Sequence, residues 1–373
     1  MASTRQETPS APSRGVPSRT APLGFASRTP PRPSAVFDSF WHFANARQEV
    51  YFRRLCGLPA PWTADPIIHS YRFTNAYRAA DRVSQYLIKH VIYGDQRSSA
   101  AEEVVFRVLL FKLFNKIETW QLLEESLGQL AWSSYSFRRY NTILTRAIDS
   151  GRRLYSAAYI MPACAAMSTG DGRKHRTHLR LLEHLIQDGL AAHIGAAKSL
   201  KDAFLLLRSY PMLGDFLAYQ YLIDLNYSTV ADFSEDDFVV PGPGAREGLR
   251  KVFSDPGEFD EADLIRWVAD RQEKEFSRRG LAFRSLWGRR LHLIDCQNLF
   301  CEIGKYARVR HPEFTEPTGR SRIKQKFDQA GPLPIPWFPP KWGLNKKITE
   351  SLHPRTDAVS DGALTPINAV AGE

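Results

Sequence analysis

Between residues 36 and 330 apolar side chains recur at intervals of three and four, and almost nowhere at intervals of two. A period near 3.6 gathers apolar residues into one stripe of a helix, whereas alternation would place them on one face of a strand. The spacing predicts helices over 73–93, 102–130, 135–155, 175–193, 200–207, 212–225, 260–279 and 284–306. In the first of these the apolar positions are Tyr77, Ala80, Val83, Tyr86, Leu87 and Val91. In the second, Val104, Val105, Val108, Leu109, Phe111, Leu113 and Phe114 cover most of the circumference, as in a helix at the centre of a bundle. No repeat of 20–50 residues is present, which excludes a solenoid. The fold class is all-α, a multi-helix body.

Both flanks have a different composition. Residues 1–35 are rich in Ser, Pro and Arg, contain one acid, Glu7, and show no apolar periodicity. Such a segment cannot bury enough surface to offset its ordering entropy, so a disordered basic tail is expected. A transit peptide shares that composition, but seven prolines oppose its amphipathic helix. Residues 331–373 open on Gly-Pro-Leu-Pro-Ile-Pro-Trp-Phe-Pro-Pro and predict a Pro-rich C-terminal tail, with Trp337, Phe338 and Trp342 available to pin it to the body. The 373 residues carry 50 Lys+Arg against 40 Asp+Glu, a net charge of +10 that favours an anionic partner. Cys56, Cys164, Cys296 and Cys301 are too few and too scattered for a disulfide scaffold, which points to an intracellular location, cytoplasmic or nucleoid/nuclear. No apolar run is long enough to span a bilayer, so no membrane partner is expected.

Several chemistries lack their motifs. There is no Gly-x-x-x-x-Gly-Lys-Ser/Thr loop, no dinucleotide fingerprint and no Gly-x-Ser-x-Gly elbow. No Cys-x-x-Cys or His-Glu-x-x-His is present, so neither a metal nor a cofactor is expected. His175, His178 and His184 read as a solvated basic helix start.

Three constellations remain. Asn75, Arg78 and Arg82 are spaced to share one helix face, with Asp81 placed to orient Arg78. Arginines beside Phe73 and Tyr77 suit phosphate or base contacts, and an exposed helix with internal ion pairs is the competing reading. Pro241-Gly242-Pro243-Gly244, followed by Arg246, has the shape of a helix-hairpin-helix turn, in which amides at a helix start face a phosphate. A plain loop ahead of a helix is the alternative. Asp263 lies near where a glycosylase of that type would carry its aspartate, and equally looks like a charged helix start. Asp295, Asn298, Glu302 and Lys305 form a polar stripe on an otherwise apolar helix, as at the wall of a cleft, and Cys296 and Cys301 read as buried small hydrophobes. Arginines and lysines from Arg278 to Lys326 suggest a phosphate track or a solvated basic face.

Taken together, Phe73-Thr74-Asn75-Ala76-Tyr77-Arg78 with Asp81-Arg82, Phe106-Arg107 to Phe114-Asn115-Lys116 with Glu118-Thr119-Trp120, Gly214 to Gln220 with Asp224-Leu225-Asn226, Gly242-Pro243-Gly244-Ala245, and Leu299 to Glu302 with Lys305-Tyr306 carry a family resemblance. Residues 36–330 resemble the helical domain associated with the hydroxymethyl-deoxyuridine DNA kinases of DNA hypermodification systems. They also resemble the related α-glutamyl/putrescinyl thymine pyrophosphorylases. The resemblance implies a fold related to helix-hairpin-helix DNA glycosylases and action on thymine-derived bases in DNA. Kinase activity is not carried over, because the P-loop is lacking. Three functions stay open: a pyrophosphorylase-like or transferase-like enzyme, a glycosylase-like enzyme, and a non-catalytic DNA-binding module working with a separately encoded kinase or transferase. The candidate catalytic residues are Asn75, Arg78, Asp81, Asp215, Asp224 and Glu302. The candidate DNA-binding residues are Arg82, Gly242, Gly244, Arg246 and Lys305.

Overall fold

In the computed structural model the described residues are 27–159, 161–162, 172–314, 322–328 and 332–352. They form α1 (Val36–Leu55), α2 (Pro66–Ser70), α3 (Arg82–Tyr86), α4 (Ala101–Phe114), α5 (Ile117–Leu127), α6 (Phe137–Asp149) and α7 (Lys174–Gln187). The chain continues through α8 (Leu190–Ala196), α9 (Leu200–Ser209), α10 (Asp215–Asn226), α11 (Pro243–Val252), α12 (Glu261–Arg278), α13 (Leu293–Arg310) and α14 (Asn345–Leu352). Among the described residues the one sheet is a two-stranded antiparallel pair of β1 (Arg32–Pro33) and β2 (Phe253–Asp255).

The three central helices are α4, α10 and α13. Every residue of α4 from Val104 to Phe114 is buried, and so is every residue of α10 from Leu217 to Asn226. Arg107 and Lys112 are therefore interior cations. Starts and stops follow local chemistry. Asp65 caps α2 by accepting from the Ile67 and Ile68 amides, with Pro66 at its first position. Asn115, at φ 47° in the left-handed region, ends α4 and splits the expected 102–130 helix in two.

The expected 73–93 helix is broken more deeply. Residues 72–77 are not helical; a 3₁₀ turn, Arg78–Ala80, leads into α3, and a π-helical turn, Leu87–Ile92, follows. The Asp81 carboxylate accepts from the Asn75 amide at 2.8 Å, and Asn75 Nδ2 donates to the Ala80 carbonyl at 2.8 Å. Side chains that bind nearby backbone in this way compete with helical bonding. Asn75, Arg78 and Arg82 consequently do not share a helix face.

The Pro-Gly-x-Gly segment also differs from the hairpin expectation. Residues 227–242, which are not helical, separate α10 from α11, so no helix directly precedes the turn. Neither Gly242 nor Gly244 has a positive φ. They serve close packing instead. A Cβ on Gly244 would lie 2.4 Å from Cys301 Sγ, and one on Gly248 would lie 1.8 Å from the Phe300 carbonyl. These glycines allow α11 and α13 to cross almost backbone to backbone.

Residues beyond the expected body take part in it. Thr29 donates to Glu258, and β1 pairs with β2. Residues 332–352 lie against the helices, with Phe338 fully buried. Residues 1–26 and 353–373 lie outside the described residues.

Candidate functional site

Arg78 enters the interior because its 3₁₀ turn is held at both ends. Its amide donates to Asp295 Oδ1 at 2.9 Å on α13. Its guanidinium reaches α10, where Nε donates to Gln220 Oε1 at 3.0 Å and Nη1 to Asp224 Oδ1 at 2.7 Å, and also to the Tyr227 hydroxyl at 3.0 Å. From α4, Lys112 places Nζ 2.9 Å from Asp224 Oδ2 and 2.9 Å from Asn115 Oδ1. Two cations thus flank one carboxylate, and all three are buried. Burial alone would raise the Asp224 carboxyl, but Arg78 and Lys112 outweigh it and hold it below the ordinary carboxylate range. Burial, helped by repulsion from Arg78, pushes Lys112 down. Tyr159 lies over the cations, its ring centre 4.3 Å from Lys112 Nζ and 5.9 Å from Arg78 Cζ.

A second polar group lies along the same segment. Arg47 of α1 donates to the Thr74 carbonyl at 3.0 Å, the Phe73 carbonyl at 3.3 Å and Asn75 Oδ1 at 3.3 Å. The Thr74 amide donates to Glu302 Oε2 at 3.3 Å, and Asn298 donates to the Thr74 hydroxyl at 3.2 Å. Lys305 pairs with Glu302 at 2.5 Å. Asp81 joins this group through the Asn75 amide. Burial, with Glu302 adding to it, pushes the Asp81 carboxyl up to about 7 against the pull of the Asn75 amide, Arg78 and Arg47. A carboxyl in that range exchanges protons near neutrality, as a general acid or base must. Arg47 also lines a small cleft with Trp62, His69 and Phe327.

Of the expected site residues, Asn75, Arg78, Asp81, Asp224 and Glu302 therefore meet in two adjoining clusters, with Lys305 at the edge. Asp215 does not join them. It stands exposed at the start of α10, paired with Arg208. Asp224 is nine residues further along, about 13 Å away at 1.5 Å per residue. Arg82 points outward, 4.0 Å from Glu118. Arg246 is on the surface, 3.0 Å from Glu261. Asp263 sits in the first turn of α12, its amide capped by Asp260 at 2.7 Å and its carboxylate 2.6 Å from Arg28, which is the helix-start reading.

His175 and His178 are buried rather than solvated. His178 bonds the Tyr155 hydroxyl at 2.9 Å and the Pro162 carbonyl at 3.0 Å, and burial lowers it to about 4. His175 bonds Thr145 and Asn141, each at 3.0 Å. Among the described residues no cluster of potential metal ligands occurs. Cys296 is buried, and burial pushes the Cys301 thiol up to about 12, which makes both poor nucleophiles; Cys164 lies outside the described residues. The late basic run is partly consumed by ion pairs, Arg279 with Glu275 and Asp38, Arg289 with Glu235, and Arg308 with Glu247, while Arg320 lies outside the described residues.

Sequence reasoning passed over Lys112, Gln220, Tyr227, Tyr159 and Arg47. Lys112 had a signal: a cation within a helix that is apolar all round has no solvated face on which to lie.

The family model for the 5-hmdU DNA kinase helical domain matches residues 34–316. A 5-hmdU DNA kinase of Bacillus phage SP10 is 24% identical over 296 residues, covering 75% of this chain and 46% of the phage protein. The chain thus spans about half the length of that relative. No solved structure matches it. Among the described residues no helix is long and apolar enough to cross a membrane. The matched span contains α1 to α13 and both polar clusters, and on that basis the chain belongs to the 5-hmdU DNA kinase helical-domain family.

Proposed function

We propose that this protein takes part in hypermodification of thymine-derived bases in DNA, binding a hydroxymethyluracil-type base at the Arg78–Lys112–Asp224 centre. The observation that supports this most is the charge imbalance there: two interior cations face one carboxylate. An interior excess of positive charge is costly unless something anionic offsets it, and a phosphorylated or pyrophosphorylated base would do so. Asp81, with its raised carboxyl, suits the base that takes a proton from an attacking nucleophile, and Glu302 is the alternative. In such a step the nucleophile bonds to the methylene carbon, the carbon–oxygen bond to the leaving phosphate breaks, and the proton passes to the carboxylate. The preceding phosphoryl transfer needs a kinase active site, for which these 373 residues hold no P-loop motif.

DNA is the proposed partner. Arg82, Arg138, Arg139, Arg146, Arg152 and Arg153 are exposed, and Lys116, which binds the Arg153 carbonyl at 2.6 Å, brings the last of these beside the end of α4. Such a surface attracts phosphates with a steep salt dependence. Gly242, Gly244 and Arg246 are a weaker DNA-binding proposal, because the glycines are occupied by helix packing.

The test is mass spectrometry of nucleosides after incubation with hydroxymethyluracil DNA, with and without a kinase partner. A new nucleoside that disappears in Arg78→Ala and Asp81→Asn is the expected result. Unchanged DNA together with salt-sensitive binding would leave the non-catalytic module. Release of free base would establish the glycosylase-like reading.

A further inference from the structure

We infer that Phe216 and the Arg78–Lys112 pair form a subsite for a flat aromatic ring bearing an anionic group, and that Tyr159 occupies it in the free protein. The proposed function is needed only for the choice of a pyrimidine base as the natural ring.

Tyr159 combines features that a structural core tyrosine has no need of. Its backbone lies at φ 55°, the left-handed region, which a bulky side chain adopts only when its surroundings compel it. Its ring is parallel to Phe216, with centres 5.7 Å apart and planes 8° apart, the offset stack that aromatic rings prefer. The same ring faces the Lys112 ammonium at 4.3 Å and the Arg78 guanidinium carbon at 5.9 Å. Tyr159 therefore presents a flat ring both to Phe216 and to two buried cations, the groups that a ring with an anionic substituent would meet.

The surroundings fit such an exchange. Phe216 is only partly buried. Its edge rests against bare backbone, since a Cβ on Gly242 would lie 2.6 Å from both Cδ2 and Cε2. That is a reason for glycine in the Pro-Gly-x-Gly motif besides close helix packing. Next to it, Arg78 Nε binds Gln220, whose Nε2 donates to Gln297 Oε1 at 3.2 Å, so amides capable of reading a base edge border the ring. The phenol itself does not correct the charge imbalance. Burial pushes it up to about 12, so it is neutral near pH 7. An anionic oxygen in its place would pair with Arg78 and Lys112 by charge-assisted hydrogen bonds.

The experiment compares the wild-type chain with Tyr159→Gly, Phe216→Leu and the double variant, using calorimetric titration. Glycine suits the positive φ, and thermal melts verify that each variant folds; Tyr159→Asn, also tolerant of that φ, replaces it should it unfold. The probes are benzyl phosphate, which has the order ring, methylene, phosphate, together with benzyl alcohol and inorganic phosphate. Tyr159→Gly is expected to bind benzyl phosphate at least tenfold tighter than wild type, and at least tenfold tighter than either fragment. Phe216→Leu is expected to remove that gain. Equal binding by wild type and Tyr159→Gly overturns the inference, and so does a gain that survives Phe216→Leu. A further arm titrates single-stranded oligonucleotides bearing thymine or phosphorylated hydroxymethyluracil. Tight benzyl phosphate binding with no preference between these oligonucleotides would keep the subsite and discard the DNA-base reading.

Discussion

Asp224 is the residue on which the interior charges depend. Its two oxygens face Arg78 at 2.7 Å and Lys112 at 2.9 Å with no solvent near. Asp224→Asn would leave two cations buried together, and breaking such a group costs about 3–5 kcal/mol. Lys112→Met would leave the Arg78–Asp224 pair balanced, so its cost is expected to be clearly smaller. Urea denaturation of both variants checks this order, and equal losses would refute the charge argument. Asp81 gives a pH signature of the opposite kind. Its carboxyl ordinarily ionises near 3.8 and is raised to about 7 in the fold. The folded state therefore binds more protons over that window, and stability from this group, full below about 4, is lost as pH rises through about 7. Asp81→Asn keeps an oxygen for the Asn75 amide and removes the titration. It should flatten the decline, gaining most relative to wild type near pH 8 and little near pH 4. If Asp81 is also the base, turnover in wild type rises to a plateau above about pH 7, and the variant lacks that limb.

The crossing of α11 and α13 shows how an element is set by what it lacks. A Cβ on Gly248 would meet the Phe300 carbonyl at 1.8 Å, and one on Gly304 would meet the Gly248 amide nitrogen at 3.2 Å. Around this contact Lys251 donates to Glu247 and to the Gly304 carbonyl, each at 3.0 Å, and Arg308 holds Glu247 with two bonds of 2.9 and 2.6 Å. Gly248→Ala must push backbone against backbone and is expected to cost about 3 kcal/mol or more. Gly244→Ala meets only the Cys301 side chain and should cost less, a ranking that thermal melts would test. The sequence marked these glycines but suggested a different use for them, because a spacing shows that close approach is needed without showing to what. It conveyed the long helices well, since α4, α10, α12 and α13 each hold an apolar pattern that only burial satisfies. It did not convey the break at 72–77, which depends on Asn75 and Asp81 binding backbone across six residues. The helix α1 was not predicted, although Val36, Phe37, Phe40, Trp41 and Ala44 hold the helical spacing. Within the candidate site, Arg78 and Asp81 were legible as an arginine with a carboxylate placed to orient it, and Asp224 through the family resemblance of its segment. Asp215 looked the same and proved to be surface, because a carboxylate at a helix start needs no partner inside.

At the scale of the whole molecule, the Pro-rich segment is part of the body that carries the site. The Trp337 amide donates to Gln85 at 2.8 Å, and Phe338 is fully buried. Asn345 exchanges two hydrogen bonds of 2.8 Å with the Phe338 backbone. Lys341 Nζ caps the Ser228 and Ala231 carbonyls at 3.1 and 2.6 Å, just past the end of α10. Trp342 then meets the Tyr227 ring at 5.6 Å, and Arg289 lies over the Trp342 ring at 3.7 Å. Tyr227 accepts from Arg78, so the segment braces one of the groups that orient the buried guanidinium. Proline makes this arrangement inexpensive, because an extended Pro-rich chain has little conformational freedom left to lose on docking. Phe338 alone should supply about 1.5–3 kcal/mol through burial. Removing residues 332–373 is accordingly expected to lower stability by more than about 2 kcal/mol. Trp342→Ala, which keeps Phe338 in place, should cost less stability yet still weaken binding of the modified base, because it frees Tyr227. Limited proteolysis with mass spectrometry gives an independent check. A resistant fragment that retains Trp342 is expected; rapid trimming back to about residue 330 with the melting temperature unchanged would show that the segment braces nothing.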